Sequence, residues 1–355
     1  MATRLGGVAF GPGPCSIDAV RVVAAPDKFR GTATARQVAA AIGEAAWEAD
    51  WDADEAPLAD GGDGLLDVFG GPNRTTVVTG PLGEPVEAPW RLARRTAVIE
   101  MARASGTAVI GGAEHNDAVG ATSAGTGELI LAAVDQGARR IIVGLGGSAT
   151  TDGGLGAIQA IGSAVKLRGI DVVVGCDVRT GFVDAAEVFG PQKGATAAQV
   201  ALLTRRLERL AAMYEQEYGV DVTVLEGAGS AGGLAGGLAA LGASLVPGFD
   251  VVAEEVGLDE LLVGADLVVT GEGFVDEQSY EGKVVGGVVE LARKAGVPVL
   301  VVAGQVFDGM GDRAPTVSLT ERFGAERSLG EPLRCVREVV GERLRADAAR
   351  GAARR

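Results

Sequence analysis

Apolar residues in this chain occur in short runs that end in glycine, small or acidic residues and then pass into alanine-rich stretches. Runs rich in β-branched residues cover 20–25, 140–144, 172–175, 266–270 and 297–303. A helical pattern covers 34–47, 125–136, 197–216 and 284–295, and Thr34 is a suitable N-cap for the first of these helices. Strands that alternate with helices predict a parallel α/β sheet, in which ligands bind at the carboxyl ends of the strands.

Two regions depart from this alternation. Pro and Trp interrupt short strand-like pieces in 74–120, and Gly-rich sequence precedes an acidic stretch in 228–262. We predict that these regions form a smaller α/β domain, inserted into a larger domain made of 18–73, 121–227 and 263–345. Residues 346–355, which are rich in Arg and Ala, are predicted to form a tail.

Composition narrows the class of protein. A 355-residue chain with 47% hydrophobic and 22% charged residues is globular. Its apolar runs are far shorter than the roughly 20 residues of a membrane span, and its N-terminus has no apolar core of secretory type, so we expect a cytoplasmic protein. A net charge of -15 disfavours binding to nucleic acid and to anionic membranes.

The segment 144–154, GLGGSATTDGG, lies between a predicted strand and a predicted helix. Backbone amides freed of side chains, hydroxyl groups and a helix N-terminus together form a cradle for an anion. The segment has neither the ending of a P-loop nor the spacing of a dinucleotide-binding turn. It is therefore a candidate phosphate site, although a tight turn would use the same residues.

Two further segments place charged groups after predicted strands. Segment 59–64, ADGGDG, offers Asp60 and Asp63 to hold Mg²⁺ or to orient a hydroxyl group, or it is a solvated turn. Segment 25–32 offers Asp27, Lys28 and Arg30, which could clamp an anionic substrate or only cap the next helix.

Segment 270–276, TGEGFVD, is predicted to be a third loop after a strand. It carries Glu272 and Asp276 as candidate metal ligands, and Lys283 follows as a partner for a phosphate oxygen or as an exposed residue at a helix start. Asp177 ends another predicted strand, and Lys193 lies in a Gly-Pro turn.

Histidine and cysteine are nearly absent from these segments. The single histidine, His115, lies in a polar turn-like segment, and the three cysteines are too far apart for a CxxC metal site. The chemistry must therefore use aspartate, lysine, hydroxyl groups, backbone amides and a metal, which suits phosphoryl transfer.

Taken in order, these segments resemble the bacterial glycerate kinase family over about residues 20 to 305. The resemblance implies a flavodoxin-like parallel sheet domain with a second, smaller inserted α/β domain. It also implies an ATP- and Mg²⁺-dependent kinase that converts D-glycerate to phosphoglycerate, usually the 2-phospho isomer. We expect a monomer or homodimer with a small-molecule substrate.

The resemblance and the residue chemistry together give each candidate a role. Asp177, Asp63 and Asp60 are predicted to be catalytic, with Asp177 as the base. The predicted substrate-binding residues are Asp27, Lys28, Arg30 and Lys193. The predicted phosphate-binding residues are Gly146, Gly147, Ser148, Thr150, Asp152, Gly153 and Lys283. Asp276 and Glu272 are the predicted metal ligands.

Three departures from the family pattern bear on the substrate. Arg30 occupies a position where lysine is usual, the loop after Asp177 is shortened, and Phe274 replaces an arginine that could pair with a carboxylate. Two alternatives therefore stay open. One is a kinase of the same fold for another hydroxy acid or polyol, and the other is an inactive ligand-binding or regulatory homologue.

Overall fold

The computed structural model describes residues 20–307, 309–310 and 313–352. Its strands, in chain order, are β1 Arg21–Ala24, β2 Asp52–Glu55, β3 Arg74–Thr79, β4 Pro85–Ala93, β5 Thr96–Glu100, β6 Arg140–Gly144, β7 Asp171–Cys176, β8 Ser244–Pro247, β9 Leu267–Val275, β10 Val299–Val306 and β11 Thr316–Ser318. Its α-helices are α1 Ala35–Trp47, α2 Leu65–Val68, α3 Ala102–Ser105, α4 Ala124–Asp135, α5 Leu155–Ile161, α6 Ala185–Phe189, α7 Ala197–Tyr218, α8 Ser230–Ala240, α9 Gly248–Val256, α10 Leu258–Leu262, α11 Val284–Ala295, α12 Leu319–Phe323, α13 Ala325–Gly330 and α14 Pro332–Ala352. The four predicted helices are confirmed to within two residues at each end.

Helix α1 begins where the sequence predicts. The Thr34 hydroxyl accepts a hydrogen bond from Gln37 N at 3.3 Å, and Gln37 Oε1 accepts one from Thr34 N at 2.9 Å. This reciprocal pair is a capping box, which satisfies two amides that the helix itself leaves unpaired. The segment 27–31 therefore enters α1 at a fixed point.

The first sheet has the strand order β11-β10-β9-β1-β2, and all of its pairs are parallel. Numbered along the chain, its five strands lie in the order 2-1-3-4-5, which is the flavodoxin-like order. The predicted flavodoxin-like domain is therefore confirmed. In such a sheet a crevice opens at the carboxyl ends of the strands, next to the point where the strand order reverses.

The second sheet lies in the part of the chain between β2 and β9, which confirms an inserted domain. Its order is β3-β4-β5-β6-β7-β8, with antiparallel pairing from β3 to β5 and parallel pairing from β5 to β8.

The predicted grouping of 121–227 with 18–73 and 263–345 is wrong. Val98 of β5 pairs with Ile142 of β6, which pairs with Val173 of β7. The inserted part thus carries the larger of the two described sheets. Buried parallel strands have similar β-branched sequences in both sheets, so composition alone does not assign a strand to its sheet.

Strand β9 is longer than predicted. It continues through Val275, because Phe274 and Val275 pair with Gln305 and Val306 of β10. The segment 270–275 is therefore part of a strand, and the prediction of a loop there was wrong. Glycine at 271 permits the close approach of β10, since a Cβ atom there would lie 1.8 Å from Val302 O.

A shared hydrophobic core joins the two sheets. One cluster of buried side chains contains Val23 and Val268 from the first sheet together with Ile142 and Val173 from the second. Burial of apolar surface on both sides stabilises the contact between the sheets. The carboxyl ends of strands from both sheets are thereby held close to one another.

Helix α14 continues through most of the predicted tail to Ala352. Residues 1–19, which include Cys15, and residues 353–355 lie outside the described residues. Among the helices that the structure describes, none combines the length and apolar character needed to cross a membrane.

Candidate active site

Two glycine-rich loops, one from each sheet, touch at the carboxyl ends of their strands. A Cβ atom on Gly146 would lie 3.1 Å from Gly62 Cα and 3.2 Å from Asp63 N. A Cβ atom on Gly61 would lie 2.6 Å from Gly248 Cα. Glycine at these positions therefore lets the loop of Asp60 and Asp63 pack against the loop after β6 and against the start of α9.

The first of two cavities at this junction has a volume of about 560 Å³, and Asp27, Lys28, Arg30 and Asp63 line it. Lys28 Nζ donates a hydrogen bond to Asp63 O at 2.5 Å, and Asp27 N donates one to Gly271 O at 2.8 Å. Burial raises the pKa of Asp27 to about 6, against the opposing charge of Lys28. The structure thus brings together three of the four predicted substrate-binding residues.

The fourth, Lys193, lies in the second cavity instead. This cavity has a volume of about 370 Å³, and its lining includes Gly146, Gly147, Ser148, Asp177 and Lys193. The buried Lys193 Nζ donates to Thr150 O at 2.6 Å and to Ser148 Oγ at 3.4 Å. Burial lowers its pKa to about 7. Lys193 is therefore a neighbour of the predicted phosphate loop and not of Lys28 and Arg30.

Asp177 lines the second cavity and interacts electrostatically with Lys28, which lines the first. Its carboxylate lines the second cavity, at the end of β7. Burial and the nearby carboxylate of Asp60 raise its pKa, while Lys283 and Lys28 oppose that rise. Asp177 from the inserted domain therefore lies within the field of charges carried by the flavodoxin-like domain.

Other residues of segment 144–154 hold this segment against the protein interior. Asp152 accepts hydrogen bonds from Ser123 N and Oγ, both at 2.8 Å, from Gly154 N at 3.0 Å and from Gly156 N at 3.1 Å. Gly153 O accepts a hydrogen bond from the buried Tyr214 hydroxyl at 2.9 Å. These contacts fix the loop onto the protein interior, and neither Asp152 nor Gly153 lines the two cavities.

Thr150 also lies inside, with its hydroxyl 3.1 Å from Ser148 Oγ. Thr150, like Asp152 and Gly153, therefore positions the groups that do line the cavity. The predicted direct contacts of these three residues with phosphate have no counterpart in the cavity lining.

The predicted metal ligands lie at the end of β9. Burial raises the pKa of Glu272 to about 7, and its Oε1 has no hydrogen-bond partner among the described residues. Asp276 Oδ1 accepts hydrogen bonds from Ser279 N at 3.1 Å and from Ser279 Oγ at 3.3 Å. Lys283 occupies the N-cap position of α11.

No group of three or more His, Cys, Asp or Glu side chains within the described ranges is arranged to hold a metal by itself. Magnesium at phosphoryl-transfer sites takes only one or two carboxylates and completes its shell with phosphate and water. The unpartnered buried oxygen of Glu272 fits one such ligand.

Comparison with known proteins gives the family. The sequence pattern of the glycerate kinase family matches residues 22–167 and 163–324. The chain belongs to the glycerate kinase family. It is 39% identical over 332 residues to the glycerate 2-kinase of Escherichia coli (strain K12), covering 82% of this chain and 87% of that protein. It is 40% identical over 327 residues to the glycerate kinase of Bacillus subtilis (strain 168), covering 81% and 85%.

A solved structure agrees with this assignment. The crystal structure of a Salmonella typhimurium LT2 protein, provisionally assigned as glycerate kinase 2, matches the fold with a TM-score of 0.81 at 34% identity. The match covers 95% of this chain and all of that one. As a member of the glycerate kinase family, the chain is a kinase, an enzyme that transfers a phosphoryl group to an alcohol.

Three further residues of this glycerate kinase family member shape the site. Glu100 Oε1 accepts hydrogen bonds from Gly64 N at 3.1 Å and Leu66 N at 2.9 Å, and thereby caps α2 directly after the loop of Asp60 and Asp63. An acidic residue at the end of the β-branched run 96–100 was the only signal of this role in the sequence.

Asn116 had no such signal, whereas Ser230 lies in the segment 227–233, which is among the segments that resemble the family. Asn116 Nδ2 donates to Ala149 O and to Lys193 O, both at 2.9 Å, and so ties the turn of Lys193 to the phosphate loop. Ser230 lines the second cavity from the start of α8. His115, next to Asn116, is exposed, as the sequence predicted.

Proposed function

We propose that this kinase transfers the γ-phosphoryl group of ATP to a hydroxyl group of D-glycerate, with Mg²⁺, and that it forms 2-phosphoglycerate. The observation that carries the proposal is that Asp177 lines the cavity of the glycine-rich loop after β6 and interacts electrostatically with Lys28, which lines the other cavity. The similarity to a glycerate 2-kinase supports the choice of isomer.

The first cavity suits the acid. Lys28 and Arg30 line it and can pair with the carboxylate of glycerate. The second cavity suits the phosphates of ATP, because Gly146 and Gly147 expose backbone amides beside Ser148 and Lys193. The two substrates then approach each other where the glycine-rich loops touch.

Asp177 acts as the base in this arrangement. It accepts the proton of the attacking hydroxyl while the oxygen of that hydroxyl bonds to the γ-phosphorus and the bond from phosphorus to ADP breaks. Because its pKa is raised, the carboxylate is a stronger base than an ordinary aspartate, which favours proton transfer from the hydroxyl group. Asp60 and Asp63 orient the acceptor, and Lys283, whose charge acts on Asp177, stabilises negative charge on the transferred group.

Glu272 and Asp276 are the proposed carboxylates for Mg²⁺. The ion would offset charge on the phosphate oxygens when bound. The unpartnered Oε1 of Glu272 supports its part in this site, whereas Asp276 would have to share Oδ1 with Ser279.

The test couples product formation to enolase, which accepts 2-phosphoglycerate, with and without added phosphoglycerate mutase. We expect signal from ATP, Mg²⁺ and D-glycerate without the mutase. Asp177→Asn should lower kcat by about 100- to 10,000-fold, the usual contribution of a general base. The exposed Asp221→Asn serves as the matched control. If Asp177→Asn keeps kcat within threefold of the wild type, the assignment of the base is wrong.

A second candidate is phosphorylation of another hydroxy acid or polyol. Phe274 is 43% exposed and its ring lies against that of Phe307, with 4.3 Å between the centroids. Neither ring lines the two cavities, so this candidate requires an acceptor that is larger than glycerate and extends to the exposed aromatic pair at the carboxyl ends of β9 and β10. Release of ADP, measured across a panel of hydroxy acids, decides between the two candidates.

A further inference from the structure

Ser230 is a buried polar residue that the proposed roles leave unused. Its side chain is 2% exposed and lines the second cavity, yet its Oγ has no hydrogen-bond partner among the described residues. The thiol of Cys176 lies beside it, and burial raises the pKa of that thiol to about 11. A neutral thiol is a weak partner, and a buried hydroxyl without a proper partner is costly.

The backbone around Ser230 is held in an unusual conformation. Ala231 has φ 53° and ψ 38°, and Gly232 and Gly233 also have positive φ. A left-handed conformation costs a residue with a side chain roughly 1–2 kcal/mol, and such conformations cluster at functional sites. Ser230, which lines the second cavity, directly precedes these residues.

Contacts with the phosphate loop hold this turn in place. Ala231 O accepts a hydrogen bond from Ser148 Oγ at 3.3 Å, and Gly232 O accepts one from Gly153 N at 3.0 Å. Ser148, Ser230 and Ala231 all line the second cavity, and these contacts hold Ser230 in position relative to Ser148.

Charge in this cavity is sparse. Among the described residues that line it, Lys193 is the one cation and Asp177 the one anion. Lys193 Nζ already donates to Thr150 O and Ser148 Oγ, and an ammonium group has a third hydrogen to offer. A lysine and an unpartnered hydroxyl that line one cavity match the requirements of a phosphoryl group, which has charge and several acceptor oxygens.

We propose that Ser230 Oγ and Lys193 Nζ bind a phosphoryl group directly, and that they complete the site formed by the amides of Gly146 and Gly147. The inference deepens the proposed function and rests on it for the source of the phosphoryl group. That group belongs either to the nucleotide or to the phosphorylated acid, and binding measurements with each ligand distinguish the two sources.

The first test is calorimetric titration of the full chain with ADP, with 2-phosphoglycerate and with unphosphorylated D-glycerate. Ser230→Ala should lower the affinity for the ligand that places its phosphoryl group in this cavity by about 10- to 100-fold, as expected for the loss of one hydrogen bond to a charged group. Affinity for D-glycerate should stay within threefold. A loss for ADP identifies the nucleotide as the source, and a loss for 2-phosphoglycerate identifies the acid.

Thermal unfolding separates binding from a structural role. Because Ser230 Oγ has no partner in the free protein, Ser230→Ala should leave the unfolding midpoint unchanged or raise it. Ser328→Ala is the matched control, since Ser328 is also buried but donates to Ala325 O at 3.1 Å, in helix α13. It should lower the midpoint and leave both affinities unchanged.

Lys193 gives an independent test. At pH 8 the side-chain amine of Lys193 is mostly unprotonated in the free protein, since its pKa is about 7, and a bound phosphoryl anion raises that pKa and favours the ammonium form. Asp152 and Asp177 are the charged groups that face it, and both are present with and without ligand. Binding should therefore take up protons at pH 8, as measured in buffers of different ionisation enthalpy, and Lys193→Met should abolish most of this uptake.

The proposal is overturned if Ser230→Ala binds ADP and 2-phosphoglycerate as tightly as the wild type does, or if the wild type binds neither at millimolar concentration. It is supported if either affinity falls as stated with an unchanged unfolding midpoint. A wild type that shows this binding but does not phosphorylate D-glycerate would refute the proposed function and leave this inference standing.

Discussion

The cap that Glu100 places on helix α2 offers a quantitative test of how the site is built. Glu100 is 3% exposed, and its Oε1 accepts hydrogen bonds from Gly64 N and Leu66 N. Its Oε2 accepts one from Arg103 Nε at 2.8 Å. We consider two replacements, Glu100→Ala and Glu100→Gln, which remove different parts of this arrangement.

Alanine leaves two amides without an acceptor, and that of Leu66 is buried. An unsatisfied buried amide costs about 1–3 kcal/mol. Arg103 is 48% exposed and regains water, so its lost ion pair adds little. We therefore expect Glu100→Ala to lower the free energy of unfolding by about 2–4 kcal/mol. Glutamine keeps one oxygen for both amides but loses the charge, and it should cost about 1–2 kcal/mol.

Thermal unfolding provides the first measurement. At about 2–4 °C per kcal/mol, Glu100→Ala should lower the midpoint by about 4–16 °C, and Glu100→Gln by less. Glu87→Ala, which removes an exposed glutamate from β4, is the control and should leave the midpoint nearly unchanged.

The kinase assay provides the second measurement. Asp60 and Asp63 directly precede α2, so a displaced helix start moves both carboxylates. Displacements of about 1 Å can cost 100-fold, and we expect kcat/KM to fall by about 10- to 100-fold in Glu100→Ala. A midpoint within 1 °C of the wild type together with unchanged kcat/KM would refute the role of Glu100 as a cap.

Two further predictions concern the same junction. Gly248→Ala should destabilise the protein by about 1–3 kcal/mol or more and abolish most activity, because the new Cβ would lie 1.9 Å from Asp60 O. Gly330→Ala is the control, since no atom lies within 4 Å of the added Cβ, and it should change neither the unfolding midpoint nor the activity much. Asp27→Asn should raise the unfolding midpoint at pH 7.5. The pKa of Asp27 is raised to about 6 in the folded protein, so the carboxyl group lowers the free energy of unfolding as pH rises from about 4 to 6, and the advantage of asparagine should disappear near pH 4. An equal advantage at both pH values would contradict the burial argument for Asp27.

The local elements of this protein follow from its sequence. The helices begin and end near the predicted residues because capping and hydrophobic periodicity act over a few neighbouring positions, as the Thr34 cap shows. The same local signals marked Asp27, Asp60 and Asp177 as residues that follow strands of a parallel sheet, where ligands bind. The family could likewise be predicted, from the order of its motifs.

Only the tertiary structure decided which strands share a sheet and which loops meet. Strand β6 joins the inserted sheet because Val98 and Ile142 pair across 44 positions of the chain, a contact that no local pattern encodes. The same long-range packing places Lys193 beside Ser148, and not with Lys28 and Arg30 as the sequence predicted. It also placed Ser230, from the segment 227–233, in the lining of the second cavity. Secondary structure depends on neighbours in sequence, whereas a site depends on side chains that only folding brings together.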